Sequence, residues 1–265
     1  KFADGLRIRS IRNYQTEGGE LLSSTSYDYD DSGHSSGKIM TQIENFYNET
    51  DLIATGLLGQ GHTPCCFLGS LVPPIVVANF LIRWGTSLKP ISSAARGNYI
   101  GYSKVIVTDQ DKNGESLGRT VYQFFNVPDE QYVSFFPGMP GRMNLQNGQL
   151  TTKTEYSGSS EIKVKETVYT YETNPSGEVN VVGFKCERPM TDYGEIDNDD
   201  LGIFARPYYL QSQWWHPASE ITTTFSSDGS GNGVVTSKYF YYDNAAHKLL
   251  TREITHQSDG SEMKK

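Results

Sequence analysis

The chain has 265 residues, which is long enough for one large domain or two small ones to bury a core. Its 36% hydrophobic content, with 26 glycines counted in addition, is close to the globular average and argues against global disorder. The net charge of -8 argues against nucleic acid as a partner, because phosphate binding needs a dense basic face. The densest basic group is Arg7, Arg9 and Arg12, and the alternation of a strand predicts that Arg7 and Arg9 share one face, which is expected to face solvent.

Alternating side chains and turn residues predict strands along most of the chain. Successive side chains of a strand point to opposite faces, so Val105 and Val107 are predicted to lie on one face and Ile106 and Thr108 on the other. The predicted strands, in chain order, are Leu6–Tyr14 with a bulge near Ser10, Leu21–Asp30, Lys38–Tyr47, Tyr99–Thr108, Arg119–Asn126, Leu150–Tyr156, Glu161–Glu172, Val179–Cys186, Ser219–Phe225, Val234–Tyr242 and Lys248–His256.

Turn signals separate these strands and predict hairpins. Asn113-Gly114 favours a tight turn because both residues tolerate positive φ, and residues 174–177 are predicted to turn the chain so that Val179–Cys186 pairs with Glu161–Glu172. Ser258-Asp259-Gly260 predicts a turn where a further hairpin would begin. The expected fold is all-β, an antiparallel meander of consecutive β-hairpins that forms a twisted open sheet or a sandwich.

The pattern repeats four times, with an aromatic-rich strand after each turn. The aromatic segments are Tyr27–Tyr29, Val121–Phe125, Val168–Tyr171 and Lys238–Tyr242. Their spacing varies, so the chain is predicted to be a single repeat-built domain over 1–265 with irregular inserts at about 48–98, 127–149 and 187–218. Function is expected in such inserts. Because the chain begins at Lys1, it is also expected to be a fragment of a longer protein.

Residues 52–82 are free of Asp, Glu, Lys and Arg. Prolines such as Pro73 and Pro74, together with several glycines, interrupt this apolar stretch, whereas a membrane-spanning helix needs roughly 20 mainly apolar residues in succession. We therefore expect a buried insert over one face of the sheet, with membrane contact only through an anchor outside this chain.

Short motifs resemble the degenerate units of bacterial Rhs-type, or YD-repeat, cell-surface proteins. The motifs are Tyr27–Asp30 with Gly33, Tyr242-Asp243 followed by Thr251–Glu253, Gly5–Arg9, Gly101–Val105 and Gln213–Trp215. The resemblance implies an exported, extracytoplasmic β-sheet scaffold that is not an enzyme and that meets an unknown protein or glycan at the cell surface. The units here are few and irregularly spaced, which favours an open sheet or sandwich over the closed shell found in some family members.

The densest aromatic cluster lies in the third insert. Its members are Tyr208, Tyr209, Trp214, Trp215 and His216. Aromatic rings with a polar edge can stack on a sugar or anchor a peptide, and they can equally pack against the end of a β-sheet. The sequence is compatible with both interpretations, and a carbohydrate- or peptide-binding module is the alternative to the scaffold function.

Three other groups contain residue types that can bind a metal ion or take part in catalysis. Asp109–Gly114 matches half of a calcium loop, but Thr120 stands where a glutamate ligand is needed, so a hairpin turn is expected. The acidic loop at 192–200 and the His62–Cys66 segment are the residues that a hydrolase would use. Cys186 could pair with either cysteine of that segment. No catalytic residue, metal site or cofactor is predicted.

Overall fold

The computed structural model describes residues 7–40, 47–55, 76–85, 100–129, 144–158, 162–174, 178–187, 204–226, 231, 233–244 and 246–265. In this part of the chain the regular structure consists of strands. They are β1 (Ser10–Tyr14), β2 (Leu21–Asp28), β3 (Asp30–Asp31), β4 (His34–Ser35), β5 (Gly37–Ile39), β6 (Tyr47–Thr55), β7 (Val76–Gly85), β8 (Ile100–Tyr102), β9 (Lys104–Asp111), β10 (Ser116–Phe125), β11 (Gln149–Ser157), β12 (Lys163–Thr173), β13 (Val179–Glu187), β14 (Phe204–Ser212), β15 (Trp215–Phe225), β16 (Gly233–Tyr241), β17 (Arg252–His256) and β18 (Glu262–Lys264).

Ten of these strands form one antiparallel sheet. Their order is β1-β2-β9-β10-β11-β12-β15-β16-β17-β18, so β1 and β18 are the edges. Four two-stranded pairs complete the described structure: β3–β4, β5–β8, β6–β7 and β13–β14. The predicted all-β fold is confirmed, and of the two predicted forms the open sheet is observed.

Short and long links between strands lie at opposite ends of the large sheet. Short links join β1 to β2, β9 to β10, β11 to β12, β15 to β16 and β17 to β18 at one end. The long connections all leave from the opposite end, which we call the connection end. Their flanking residues are cross-strand neighbours there: Asp28 and Ile106, Phe125 and Gln149, Thr173 and Trp215, and Tyr241 and Arg252.

The sheet has almost no apolar core within the described residues. Met40 is the buried hydrophobic side chain there, and the other buried side chains are polar. On one face Val168, Val235 and Tyr239 remain 39%, 42% and 37% exposed. No second layer therefore covers this face within the part that the structure describes.

Cross-strand pairs take the place of that core. The hydroxyls of Thr167 and Thr222 lie 3.1 Å apart, and those of Thr170 and Ser219 lie 2.7 Å apart. Both pairs join neighbouring residues of β12 and β15. Such pairs contribute roughly 0.2–1 kcal/mol each relative to alanine pairs, so a wide sheet of this kind depends on many of them.

Two asparagines fasten the chain where it leaves β10. The side chain of Asn147 accepts a hydrogen bond from the Val127 amide and donates one to the Val127 carbonyl, both at 2.8 Å. Asn126 donates to the Tyr102 carbonyl at 2.7 Å and accepts from the Gly148 amide at 3.2 Å. We call Asn126 and Asn147 the asparagine clasp. The clasp therefore joins the start and the end of the connection between β10 and β11, and ties both to the end of the connection that enters β9.

Several sequence predictions need correction. β13 pairs with β14 and not with β12, which instead pairs with β15. The predicted insert at 187–218 therefore contains the whole of β14 and the start of β15, and the insert at 48–98 contains β7 and most of β6. The bulge expected near Ser10 lies between Asn13 and Tyr14.

Candidate functional site

The structure separates the five predicted binding residues. Tyr208 and Tyr209 lie in β14, opposite Gly183 and Val182 of β13. Trp215 and His216 are the first two residues of β15 and Trp214 directly precedes them, at the connection end of the large sheet. In the described residues, the ring of Tyr209 contacts none of the aromatic rings at the start of β15.

Trp214 and His216 form a compact aromatic group with a residue that the sequence analysis missed. Their rings stack with centroids 4.3 Å apart and planes 9° from parallel. Tyr242 places its ring edge-on to both, at 5.2 Å from Trp214 and 4.2 Å from His216. The Lys248 ammonium lies 5.7 Å from the Trp214 ring centre. We call Trp214, His216, Tyr242 and Lys248 the aromatic cluster.

The strand register explains this grouping. Trp214 and His216 are two residues apart, so they share a face of the sheet, while Trp215 between them points the other way. Ser219 pairs with Tyr239 in the β15–β16 ladder, and continuing that antiparallel register brings Tyr242 opposite His216. The run Tyr239–Tyr242 is the sequence signal for this contact, but only the strand register shows which of its residues lies opposite His216.

Trp215 belongs to a different environment. It pairs with Thr173 of β12, and its indole N–H donates to the Gln213 side-chain oxygen at 3.1 Å. Among the described residues its ring has no aromatic partner, in contrast to Trp214. Of the two predicted tryptophans, only Trp214 therefore joins the aromatic cluster.

The cluster combines aromatic surface with unused hydrogen-bonding capacity. The Nδ1 atom of His216 is buried and has no hydrogen-bond partner. Burial raises the pKa of the Tyr242 phenol above its ordinary value of 10.0. Trp214, His216 and Tyr242 are each half-buried. This arrangement can pack a flat apolar surface and can donate to or accept from a hydroxyl or amide group.

The calcium-like segment is a hydrogen-bonded turn. The Asp111 carboxylate accepts from the backbone N–H groups of Asn113 and Glu115, both at 2.8 Å, and from the Asn113 side chain at 3.1 Å. Gly114 has φ of +86°, as this turn requires. These bonds, led by the one from Glu115, lower the pKa of Asp111. The expected turn is observed, and its carboxylate is used by the turn itself.

Other candidates fall outside what the structure describes. The His62–Cys66 segment and the acidic loop at 192–200 are not among the described residues. Cys186 lies in β13, where it pairs with Ala205 of β14. In the described part of the chain, no group of three His, Cys, Asp or Glu side chains could hold a metal ion, and no helix could span a membrane.

No protein-family model matches the chain, and no curated protein matches it significantly.

Proposed function

We propose that the chain is a non-enzymatic structural and interaction scaffold of an exported bacterial cell-surface protein. The observation that carries the proposal is the division of the sheet into two ends. Tight links lie at one end and every long connection of the large sheet leaves from the other. A regular sheet that displays long connecting segments at one end is the usual arrangement of a framework that presents binding loops.

The thinness of the sheet also supports an interaction role. Polar hydroxyl pairs hold its central strands, and apolar side chains such as Val235 remain exposed. Among the described strands, each edge of the large sheet, β1 or β18, has a neighbour on one side only. A sheet with free edges and accessible faces offers contact surface for neighbouring chains or ligands.

Surface labelling of intact cells tests the exported location. We expect a membrane-impermeant, lysine-directed biotin reagent to label the protein before lysis, because the described surface carries exposed lysines such as Lys112 and Lys264. A cytoplasmic protein in the same sample serves as the control and should remain unlabelled. Labelling that appears only after lysis would contradict the location.

The aromatic cluster favours a second candidate, binding of a carbohydrate or peptide. Its half-buried tryptophan and the unpaired Nδ1 atom of His216 lie together at the connection end. A sugar ring or a peptide group could stack on the accessible part of the tryptophan ring.

A glycan and peptide array tests this second candidate. Trp214→Ala should reduce binding by about 10-fold or more, since the ring that stacks on the ligand is lost. Tyr209→Ala, in β14, is the matched control and should bind as the parent does. A His216→Gln variant with parental affinity, or equal losses in the Trp214 and Tyr209 variants, would exclude the cluster as the binding site.

A further inference from the structure

A polar cleft lies at the β1 side of the sheet, far from the aromatic cluster. Its volume is about 560 Å³, which is within the usual range for a small-ligand site. It is lined by Arg9, Ser10, Arg12, Ser24, Ser26, Tyr27, Asp28 and Gln110. β9 and β15 are four strand spacings apart in the sheet, or about 19 Å, so the cleft and the aromatic cluster are separate.

The strand register brings the polar side chains of the cleft to one face. Arg12 pairs with Ser24, and Ser24 pairs with Gln110, so the three lie side by side across β1, β2 and β9. Ser10 and Ser26 form the neighbouring row. Paired residues of an antiparallel sheet point to the same face, so a row of hydroxyl, amide and guanidinium groups lines the cleft.

Much of this hydrogen-bonding capacity is unused. Within the described residues neither Arg9 nor Arg12 has a side-chain hydrogen bond or an ion pair, although the whole chain carries a net charge of -8. The Ser24 hydroxyl donates to the Gln110 side-chain oxygen at 3.0 Å, which leaves the Gln110 amide N–H groups for another acceptor. One oxygen of Asp28 accepts from the Asp30 amide at 3.0 Å, and the other remains as an acceptor.

These groups match the chemistry of an acidic sugar. A guanidinium group binds a carboxylate through two parallel hydrogen bonds, and Arg12 lies on the same face as the serine and glutamine side chains. Serine hydroxyls, an amide and a carboxylate oxygen are the donors and acceptors that bind neighbouring ring hydroxyl groups. An acidic peptide would use Arg12 but would leave the hydroxyl row without partners.

We propose that this cleft binds a saccharide that carries a carboxylate. Arg12 holds the carboxylate, and Ser26, Asp28 and the Gln110 amide hold ring hydroxyl groups. The site is independent of the scaffold role and of the aromatic cluster, so its failure would leave both untouched.

Titration calorimetry with sugar pairs tests the proposal on the full chain. Sialyllactose and trigalacturonic acid are the acidic probes, and lactose is the neutral counterpart of the first. We expect saturable binding of an acidic probe, with lactose at least about 10-fold weaker because the charge-assisted hydrogen bonds are missing. Arg12→Gln should weaken binding by a similar factor, and Arg12→Lys, which keeps the charge without the planar group, by less.

Arg252→Gln is the matched control. It makes the same charge change on β17, where Arg252 lies 3.3 Å from Asp243, and should bind as the parent does. Equal losses in the Arg12 and Arg252 variants would overturn the proposal, since net charge alone would then explain binding. Failure of both acidic sugars to bind would also overturn it, as would tighter binding of a glutamate-rich peptide. Arg12 is exposed, so circular dichroism should show an unchanged fold in its variants.

Discussion

At the scale of single residues, Asp111 illustrates how a side chain fixes a hairpin. Its carboxylate accepts two backbone N–H groups and one side-chain N–H group inside a single turn. The same segment resembled half of a calcium loop. The turn could be predicted from Asn113-Gly114 alone, because their conformational preference is local and needs no knowledge of the rest of the fold.

The turn predicts a specific acid sensitivity. The pKa of Asp111 is lowered in the folded state from its ordinary value of 3.8, chiefly by the hydrogen bond from the Glu115 amide. The stabilisation is therefore present above that value and is lost as pH falls through the lower, folded-state pKa. Asp111→Asn keeps an oxygen acceptor but does not titrate, so thermal unfolding below pH 3.8 should show a smaller acid-induced loss than in the parent. An identical acid dependence in both proteins would contradict the assignment.

Trp214 and Trp215 offer a matched pair of neighbouring residues. Trp214 contacts two aromatic rings, whereas Trp215 has none among the described residues. Trp214→Ala should lower the free energy of unfolding by about 1–3 kcal/mol, because each aromatic pair contributes roughly 0.5–1.5 kcal/mol beyond its buried area. Trp215→Ala should cost less. Urea unfolding measures both, and a larger loss for Trp215 would contradict the described packing.

At the scale of elements, local and distant pairings differ in how well the sequence predicts them. The β9–β10, β11–β12 and β15–β16 hairpins join strands that are close in sequence, and all three were expected. β2 instead pairs with β9, and β12 with β15, across long connections. Strand propensity and turn residues do not encode such distant partners, so β13 was wrongly assigned to β12.

The asparagine clasp predicts a large effect from an isosteric change. Asn147 is 9% exposed and both donates to and accepts from Val127. Asn147→Asp would lose the donor and place a charge beside the Val127 carbonyl, so the free energy of unfolding should fall by about 1–3 kcal/mol. Asn13→Asp, on the exposed edge strand, is the control and should change stability little. Equal effects in urea unfolding would show that the clasp does not hold the connection.

At the scale of the whole molecule, tyrosines are distributed over a sheet with little apolar core. Burial raises the pKa of Tyr29, Tyr169, Tyr171 and Tyr242 above the ordinary value of 10.0.

The composition of the candidate site depends on the whole fold. Sequence clustering brought Trp214 and His216 together correctly, but it also included Tyr208 and Tyr209, which belong to β14, and omitted Tyr242, which only the sheet register brings close.

The raised tyrosine pKa values predict alkaline sensitivity. The folded state favours the protonated phenols, so this part of the stability is present below pH 10 and is lost as pH rises through the raised pKa values. Absorbance of tyrosinate should show a group of the 17 tyrosines ionising only at higher pH, together with a falling unfolding temperature. A single ionisation step near pH 10 with no loss of stability would contradict this.

Hydrogen exchange tests the central claim, that the chain forms one open antiparallel sheet with free edges at β1 and β18. Backbone amides of β10, β11, β12 and β15 have neighbours on both sides, whereas each edge strand has one. We expect the slowest exchange in those four inner strands and fast exchange in β1 and β18, since edge strands open at lower free energy. Protection of β1 and β18 equal to that of β11 and β12, measured by mass spectrometry on the monomer, would contradict the open sheet.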